Sequence, residues 1–232
     1  MQKLELQQPR STIESSQELV RFRAAHALYD AGCVSFHFES GIEHRSGIQA
    51  PIYINVRQVM GNPSAYAEMR GLLYQYALAV DLKPDVILGV ATGGQWVSQV
   101  LAEFLLLPFG FVRPTAKDHG QKKQVEGCDV WGKEVLVVED VVNLGTSSLP
   151  AVEAVRKEGG VVSEVLAIVT YGYTKTIEQF AEAGLRLRTL TTIPDIVEVG
   201  VARGVARGGL SRADADKVLQ WLAEQDANNK NV

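Results

Sequence analysis

The sequence predicts an α/β fold: a mostly parallel sheet flanked by helices, with a small N-terminal hood. Three observations carry this. Short continuous apolar runs such as Val86-Ile87-Leu88-Gly89-Val90 and Val135-Leu136-Val137-Val138 read as strands buried on both faces. Helical segments alternate with those runs, which implies βαβ units. Ahead of them, residues 33–60 carry aromatic and β-branched residues broken by Gly41, Gly47 and Pro51, the composition of short strands beside a main sheet.

Taken in order, residues 1–14 are a polar lead-in. Ser15-Ser16-Gln17-Glu18 has a capping-box pattern, and Leu19, Phe22, His26 and Ala27 follow at helical spacing up to a stop at Gly32. His26 falls on that stripe and is expected to be a half-buried structural histidine. A second helix is opened by Asn62-Pro63-Ser64 and covers residues 63–80. Strand 86–90 leads through the turn Thr92-Gly93-Gly94 into a helix over 95–106, and residues 109–112 form the next strand. Residues 113–130 are polar and lysine-rich, a long exposed loop. After strand 135–138 come helix 150–157, strand 165–170, helix 176–183 and strand 185–191. An amphipathic helix over 211–225 closes the chain, and the Asn-rich tail beyond it is expected to be disordered. The economical organisation is one domain over 1–232: helix and hood at about 15–60, the sheet core at 61–200, and the C-terminal helix and tail at 211–232.

Composition excludes several function classes. A formal net charge of −4 argues against a dominant nucleic-acid footprint. No run approaches a membrane span, and residues 1–16 lack the apolar stretch of a secretory signal, so a cytoplasmic location is expected. Cys33 and Cys128 are too few for a disulfide scaffold and lack metal-ligand spacing.

The chemistry concentrates in Glu139-Asp140-Val141-Val142-Asn143-Leu144-Gly145-Thr146-Ser147-Ser148. Ligands of open parallel sheets sit beyond the carboxyl ends of the strands. Two adjacent acids there are costly to bury unpaired, and the cis-hydroxyls of a ribose, directly or with hydrated Mg²⁺, offset that cost. Gly145 lets the backbone approach a ligand, and Thr146, Ser147 and Ser148 place hydroxyls at a helix N-terminus, where an anion is favoured. Pro150 suits the first helical turn. A capped strand-to-helix turn with solvated acids is the other reading of a generic motif of this kind.

The complete run resembles the signature of type I phosphoribosyltransferases: four apolar residues, two acids, two apolar residues, then a Gly/Thr/Ser loop. Two further segments resemble orotate phosphoribosyltransferases. One is Arg45-Ser46-Gly47-Ile48-Gln49-Ala50-Pro51-Ile52-Tyr53-Ile54-Asn55, similar to a hood segment. The other is Arg113-Pro114-Thr115-Ala116-Lys117-Asp118-His119-Gly120, similar to a mobile catalytic loop that closes with Val125-Glu126-Gly127. The resemblance spans about residues 18–190. It implies the type I fold, a homodimer with sites shared across the interface, and transfer of ribose 5-phosphate from phosphoribosyl diphosphate to orotate, giving orotidine 5′-monophosphate and diphosphate with Mg²⁺ bound through substrate and water.

By the same resemblance, Glu139 and Asp140 hold the ribose hydroxyls, while Asn143, Leu144, Gly145, Thr146 and Ser147 cradle the 5′-phosphate. Arg113, Lys117 and His119 meet the diphosphate, Arg45 belongs to the substrate-binding set, and Lys117, His119 and Asp140 are the catalytic residues. Departures from the pattern are visible. Arg45 replaces a hood lysine, Gly93 and Pro114 stand where lysines are usual, and the loop begins Asn143-Leu144-Gly145 instead of Thr-Thr-Gly or similar. The strand that usually ends Asp-Arg, with the arginine on orotate's carboxylate, reads Thr170-Tyr171-Gly172-Tyr173, with Lys175 nearby as a possible compensation. Two other readings therefore stand beside the orotate enzyme: a phosphoribosyltransferase-fold sensor that binds phosphoribosyl diphosphate without turnover, and a transferase acting on a purine or another base.

Overall fold

The computed structural model describes residues 12–43, 47, 49–115 and 123–230. Helix α1 (Thr12–Asp30) begins before the capping-box pattern, so Ser15 lies inside it. Its buried face is Val20, Ala24, Ala25, Ala27 and Leu28, whereas Leu19 and His26 are exposed. The expected stripe was thus rotated. Alanines let the helix seat closely, and the larger apolar side chains misled the periodicity.

Four short strands form the hood: β1 (Val34–Phe36), β2 (Ile42–Glu43), β3 (Gln49–Ala50) and β4 (Ile52–Ile54). β1 pairs antiparallel with β4, and β2 with β3. A 3-10 helix over Val56–Gly61 leads to α2 (Pro63–Ala79), whose cap is Asn62: its side chain accepts from the Ala65 amide at 3.1 Å.

The main sheet holds β5 (Val86–Val90), β6 (Phe109–Val112), β7 (Val125–Glu126), β8 (Glu134–Val142), β9 (Val161–Thr170) and β10 (Arg186–Thr192), in the order β10-β9-β8-β5-β6-β7. All pairs are parallel except β6 with β7. β7 lies within the stretch expected to be loop throughout. Its two residues gain order by pairing with β6, and Glu158 accepts from the Gln124 and Val125 amides at 2.8 and 3.1 Å.

Side chains alternate across this sheet, giving two cores. Ile87, Leu136, Val138 and Leu166 meet α1, α2, α3 (Gln95–Leu105) and α6 (Ile193–Arg203). Val86, Leu88, Val135 and Val137 meet α4 (Ser148–Lys157) and Phe180 of α5 (Thr174–Glu182). Both faces are covered, which is why the strands are apolar throughout their length. Helix α6 had no counterpart in the expected elements, and α7 (Arg212–Lys230) carries the Asn-rich tail through Asn229 as helix, against the expectation of disorder.

Candidate active site

Strand order reverses at β5. From it the chain passes to β6 on one side, and β8, β9 and β10 build out the other. The crevice beyond the carboxyl ends of β5 and β8 is therefore the topological switch point, where open α/β sheets bind ligands. Two turns line it: residues 91–94 after β5, and residues 143–147 between β8 and α4.

The carboxylates do not end their strand as expected. β8 continues two residues past Asp140, because its backbone ladder with β9 runs on to the Val142–Thr170 pair regardless of side-chain polarity. Glu139 follows Val135 and Val137 toward α4 and is 5% exposed. Burial, reinforced by the neighbouring Asp140 charge, pushes its carboxyl up to about 9, with a Ser148 hydrogen bond opposing. At neutral pH this side chain is neutral. Asp140 is partly exposed and lines the crevice. Its Oδ2 lies 4.0 Å from Arg57 Nε, and its Oδ1 accepts from the Val141 amide at 2.8 Å.

Gly93 explains itself here. A Cβ at this position would fall 2.1 Å from the Asp140 carboxylate, so a side chain here requires that carboxylate to move.

The phosphate loop is held from three directions. Leu149 N donates to Gly145 O at 2.9 Å, Ala151 N donates to Ser147 O at 3.2 Å, and Thr176 Oγ1 of α5 donates to Asn143 O at 3.0 Å. Gly145 has φ +73, and an added Cβ would meet the Phe180 ring at 2.8 Å, so both conformation and space demand glycine.

A cavity of about 330 Å³ joins these parts. Its walls include Asp140, Asn143, Leu144, Gly145, Thr146 and Ser147, faced by Tyr53, Ile54 and Arg57 from the hood side and Tyr171 from the end of β9. Arg113 lines an adjoining cavity with Ala91, Thr146 and Ser147, and its Nη1 lies 3.4 Å from Glu126 Oε1. The structure thus gathers Asp140, the loop residues and Arg113 around one crevice, with Glu139 buried beside it. Arg45, Lys117 and His119 lie outside the described residues.

Among the residues that follow β9 where the arginine is usual, Tyr171 lines this cavity. Tyr173 is turned into a separate, larger cavity of about 800 Å³ whose walls are mainly apolar and unsuited to a phosphorylated anion, and Lys175 lines neither. Sequence reasoning missed Arg57, which among the described residues is the cation lining the phosphate-loop cavity, and passed over Tyr53 as a wall. No local pattern marks Arg57, since its nearness to Asp140 exists only in the folded chain.

Comparison with known proteins agrees with this geometry. The phosphoribosyl transferase domain family matches residues 55–182. The orotate phosphoribosyltransferase of Lactococcus lactis subsp. lactis is 38% identical over 159 residues, covering 68% of this chain and 76% of that protein. That of Staphylococcus saprophyticus is 34% identical over 197 residues, covering 85% and 95%. The crystal structure of orotate phosphoribosyltransferase from Aeropyrum pernix superposes with a TM-score of 0.67 at 34% identity, covering 78% of this chain and 98% of that one. Carboxylates at a switch point, a glycine-hinged phosphate loop and these likenesses coincide, and the chain belongs to the phosphoribosyltransferase family, among the orotate phosphoribosyltransferases.

Proposed function

We propose that this protein transfers ribose 5-phosphate from phosphoribosyl diphosphate to N1 of orotate, releasing diphosphate and forming orotidine 5′-monophosphate. The observation that carries the reading is the single cavity in which a phosphate loop, the Asp140 carboxylate and two tyrosines meet. Each part has a role in such a transfer. Residues 143–147, at the N-terminus of α4, suit the 5′-phosphate by their backbone donors and hydroxyls. Asp140 is placed for a ribose hydroxyl. Tyr53 and Tyr171 offer ring surface to a planar base.

The bond to diphosphate breaks as the bond to N1 forms. Positive charge grows on the ribose ring and negative charge on the leaving group. Arg113, beside Thr146 and Ser147, is positioned to stabilise the latter, and we assign Lys117 and His119 to the same task from the loop that follows it. Arg57 balances Asp140 and contributes positive potential toward the anionic substrates.

Mg²⁺ fits the donors present. Asp140 lines the phosphate side of the cavity, where it could hold the ion while substrate oxygens and water complete the coordination. Bound so, the ion would neutralise charge developing on diphosphate. We further propose a homodimer that shares sites across its interface, and a cytoplasmic location. No described helix is long and apolar enough to cross a membrane.

The test is an orotate-depletion assay with purified protein, phosphoribosyl diphosphate and Mg²⁺, run beside purine bases. Turnover of orotate supports the reading. Saturable phosphoribosyl diphosphate binding without turnover of any base would replace it with the sensor, and turnover confined to a purine would reassign the base.

A further inference from the structure

Helix α7 lies beyond residue 182, where the match to the family domain ends, yet it touches both walls of the base end of the cavity. It is anchored by its own cap, with Asp214 N donating to Ser211 Oγ at 3.1 Å, and by Ala215 and Val218, 3% and 0% exposed in the core. Three further side chains leave the helix for other elements. The Trp221 indole Nε1 donates to Gln49 O of β3 at 2.9 Å. Lys217 Nζ sits 5.2 Å from the centre of the Phe38 ring, which stacks on Phe36 of β1. Asp226 accepts from both Thr174 N, at 2.6 Å, and Thr174 Oγ1, at 2.8 Å.

These contacts fall on two structures that otherwise belong to different parts of the chain. Gln49 and Ala50 of β3 are separated by one residue from β4, which supplies Tyr53 and Ile54 to one wall of the cavity. Thr174 opens α5, just after Tyr171-Gly172-Tyr173, and Tyr171 supplies the facing wall. The same tryptophan closes the circuit. Its ring meets Tyr171 edge-on at 6.4 Å and 73°, and Tyr171 in turn stacks on Tyr173 at 5.9 Å and 28°. A single indole therefore holds the hood by its N–H and the end of β9 by its ring.

We propose that α7 is a brace that sets the spacing of the slot for the planar base, with Trp221 and Asp226 as positioning residues. Neither lines the phosphate-loop cavity, so each acts through Gln49, Tyr171 or Thr174. The phosphate loop is tied to α4 and, through Thr176, to the first turn of α5, which Asp226 also holds, so the Trp221 arm is the part of the brace that bears on the base alone. The inference rests on the proposed orotate reaction. It supplies what the missing arginine leaves open: a base end of the cavity fixed before binding, with Tyr53 on the hood wall and the 3% exposed Tyr171 packed beneath it, since pre-organised surfaces lose less entropy on binding.

The test uses the full chain and three variants. Trp221→Ala removes both contacts, Trp221→Phe keeps a ring near Tyr171 but not the donor to Gln49, and Asp226→Ala releases Thr174. Orotate turnover by the wild-type protein comes first, and its absence would sink the reaction assignment without reaching the brace. Given turnover, we expect the orotate KM to rise at least tenfold in Trp221→Ala and severalfold in the two milder variants. The phosphoribosyl diphosphate Kd, measured without base, should stay within twofold in the two Trp221 variants. Wild-type tryptophan fluorescence should respond to orotidine 5′-monophosphate and not to ribose 5-phosphate, with the response largely lost in Trp221→Phe. An unchanged orotate KM in folded Trp221→Phe and Asp226→Ala would overturn the brace. So would parallel losses for both substrates in the Trp221 variants, the signature of general destabilisation.

Discussion

The neutral state of Glu139 makes the strongest quantitative demand on the site. Its carboxyl is held at about 9 by burial first and by the Asp140 charge second, so the free protein keeps this proton through neutral pH. If the ribose hydroxyls donate to Glu139, they favour the ionised form, and binding must expel the proton. The sign follows. Below about pH 9 each unit of pH makes expulsion easier by about 1.36 kcal/mol, or tenfold in affinity. Between pH 7 and 9 the association constant for phosphoribosyl diphosphate should therefore rise by up to about a hundredfold, about 2.7 kcal/mol, and then level off. This window lies above the second ionisation of a phosphate monoester, at about 6, so the ligand contributes little slope of its own.

Titration calorimetry in buffers of different ionisation enthalpy measures the affinity and the proton together. Close to one proton should be released per ligand at pH 7.5. Glu139→Gln is neutral at every pH. It should bind within severalfold of the wild type at pH 7, where both side chains are uncharged, and fall far behind it at pH 9. A wild-type affinity that stays flat from pH 7 to 9, with no proton released, would refute the reasoning and leave Glu139 as a buried neutral partner of Ser148.

The same proton bears on stability. A folded value raised above the ordinary carboxyl range contributes stability that is full below about pH 4.5 and lost as pH climbs toward 9, so Tm should fall over that span and fall less steeply in Glu139→Gln. Gly93→Ala should cost at least tenfold in phosphoribosyl diphosphate affinity, because the new methyl displaces the Asp140 carboxylate; an unchanged Kd would show that Asp140 does not hold the ribose. Lys117→Ala should lower kcat more than it raises KM, and an unchanged kcat in steady-state assays would remove that lysine from transition-state stabilisation. Phe180→Ala empties a fully buried site, 0% exposed, under the phosphate loop and should cost about 3–5 kcal/mol in denaturant unfolding.

What the sequence reveals and what it hides divide along physical lines. Strands buried on both faces announce themselves through continuous apolar runs, so β5 was legible to the residue and β8 in its first half, while its extension through the acids to Val142 was not. The turn at residues 143–147 was legible as a strand-to-helix connection because Gly145 marks the positive φ it adopts there, +73. Helix α6 was missed although Thr192-Ile193-Pro194-Asp195 carries its start signal: Thr192 and Asp195 form a reciprocal capping box, with Pro194 in the first turn. That signal was present in the chain and overlooked. The burial of α1 was misjudged for a different reason, because close seating by alanines leaves no amphipathic contrast to detect. Arg57 and the contacts of Trp221 could not be read at all. They join residues distant in sequence, and only the fold brings them together.

The sequence departures and the Glu139 proton belong to one electrostatic argument. Against the family pattern, the chain lacks lysines at Gly93 and Pro114 and the arginine at the end of β9. Those absences matter only relative to the negative charge of the site. A buried, neutral Glu139 removes one such charge from the ligand-free site, and Arg57 stands against Asp140, so the phosphate end is near balance before substrate arrives. Glu43 on the hood side adds an acid that the base must tolerate. Under the proposed reaction, Mg²⁺ arriving with the anionic substrate would supply its counter-charge. On this account the divergent cations leave the phosphoribosyl half working and shift the burden of base recognition onto shape, where Tyr53, Tyr171 and the brace behind them act. The consequence is measurable. If shape dominates, uracil, which keeps orotate's ring but lacks its carboxylate, should be discriminated against less strongly than removal of a buried ion pair would demand. A kcat/KM ratio for orotate over uracil above about 10³, equivalent to about 4 kcal/mol, would instead require a dedicated cation at the carboxylate, and Arg45 would be the first residue to substitute.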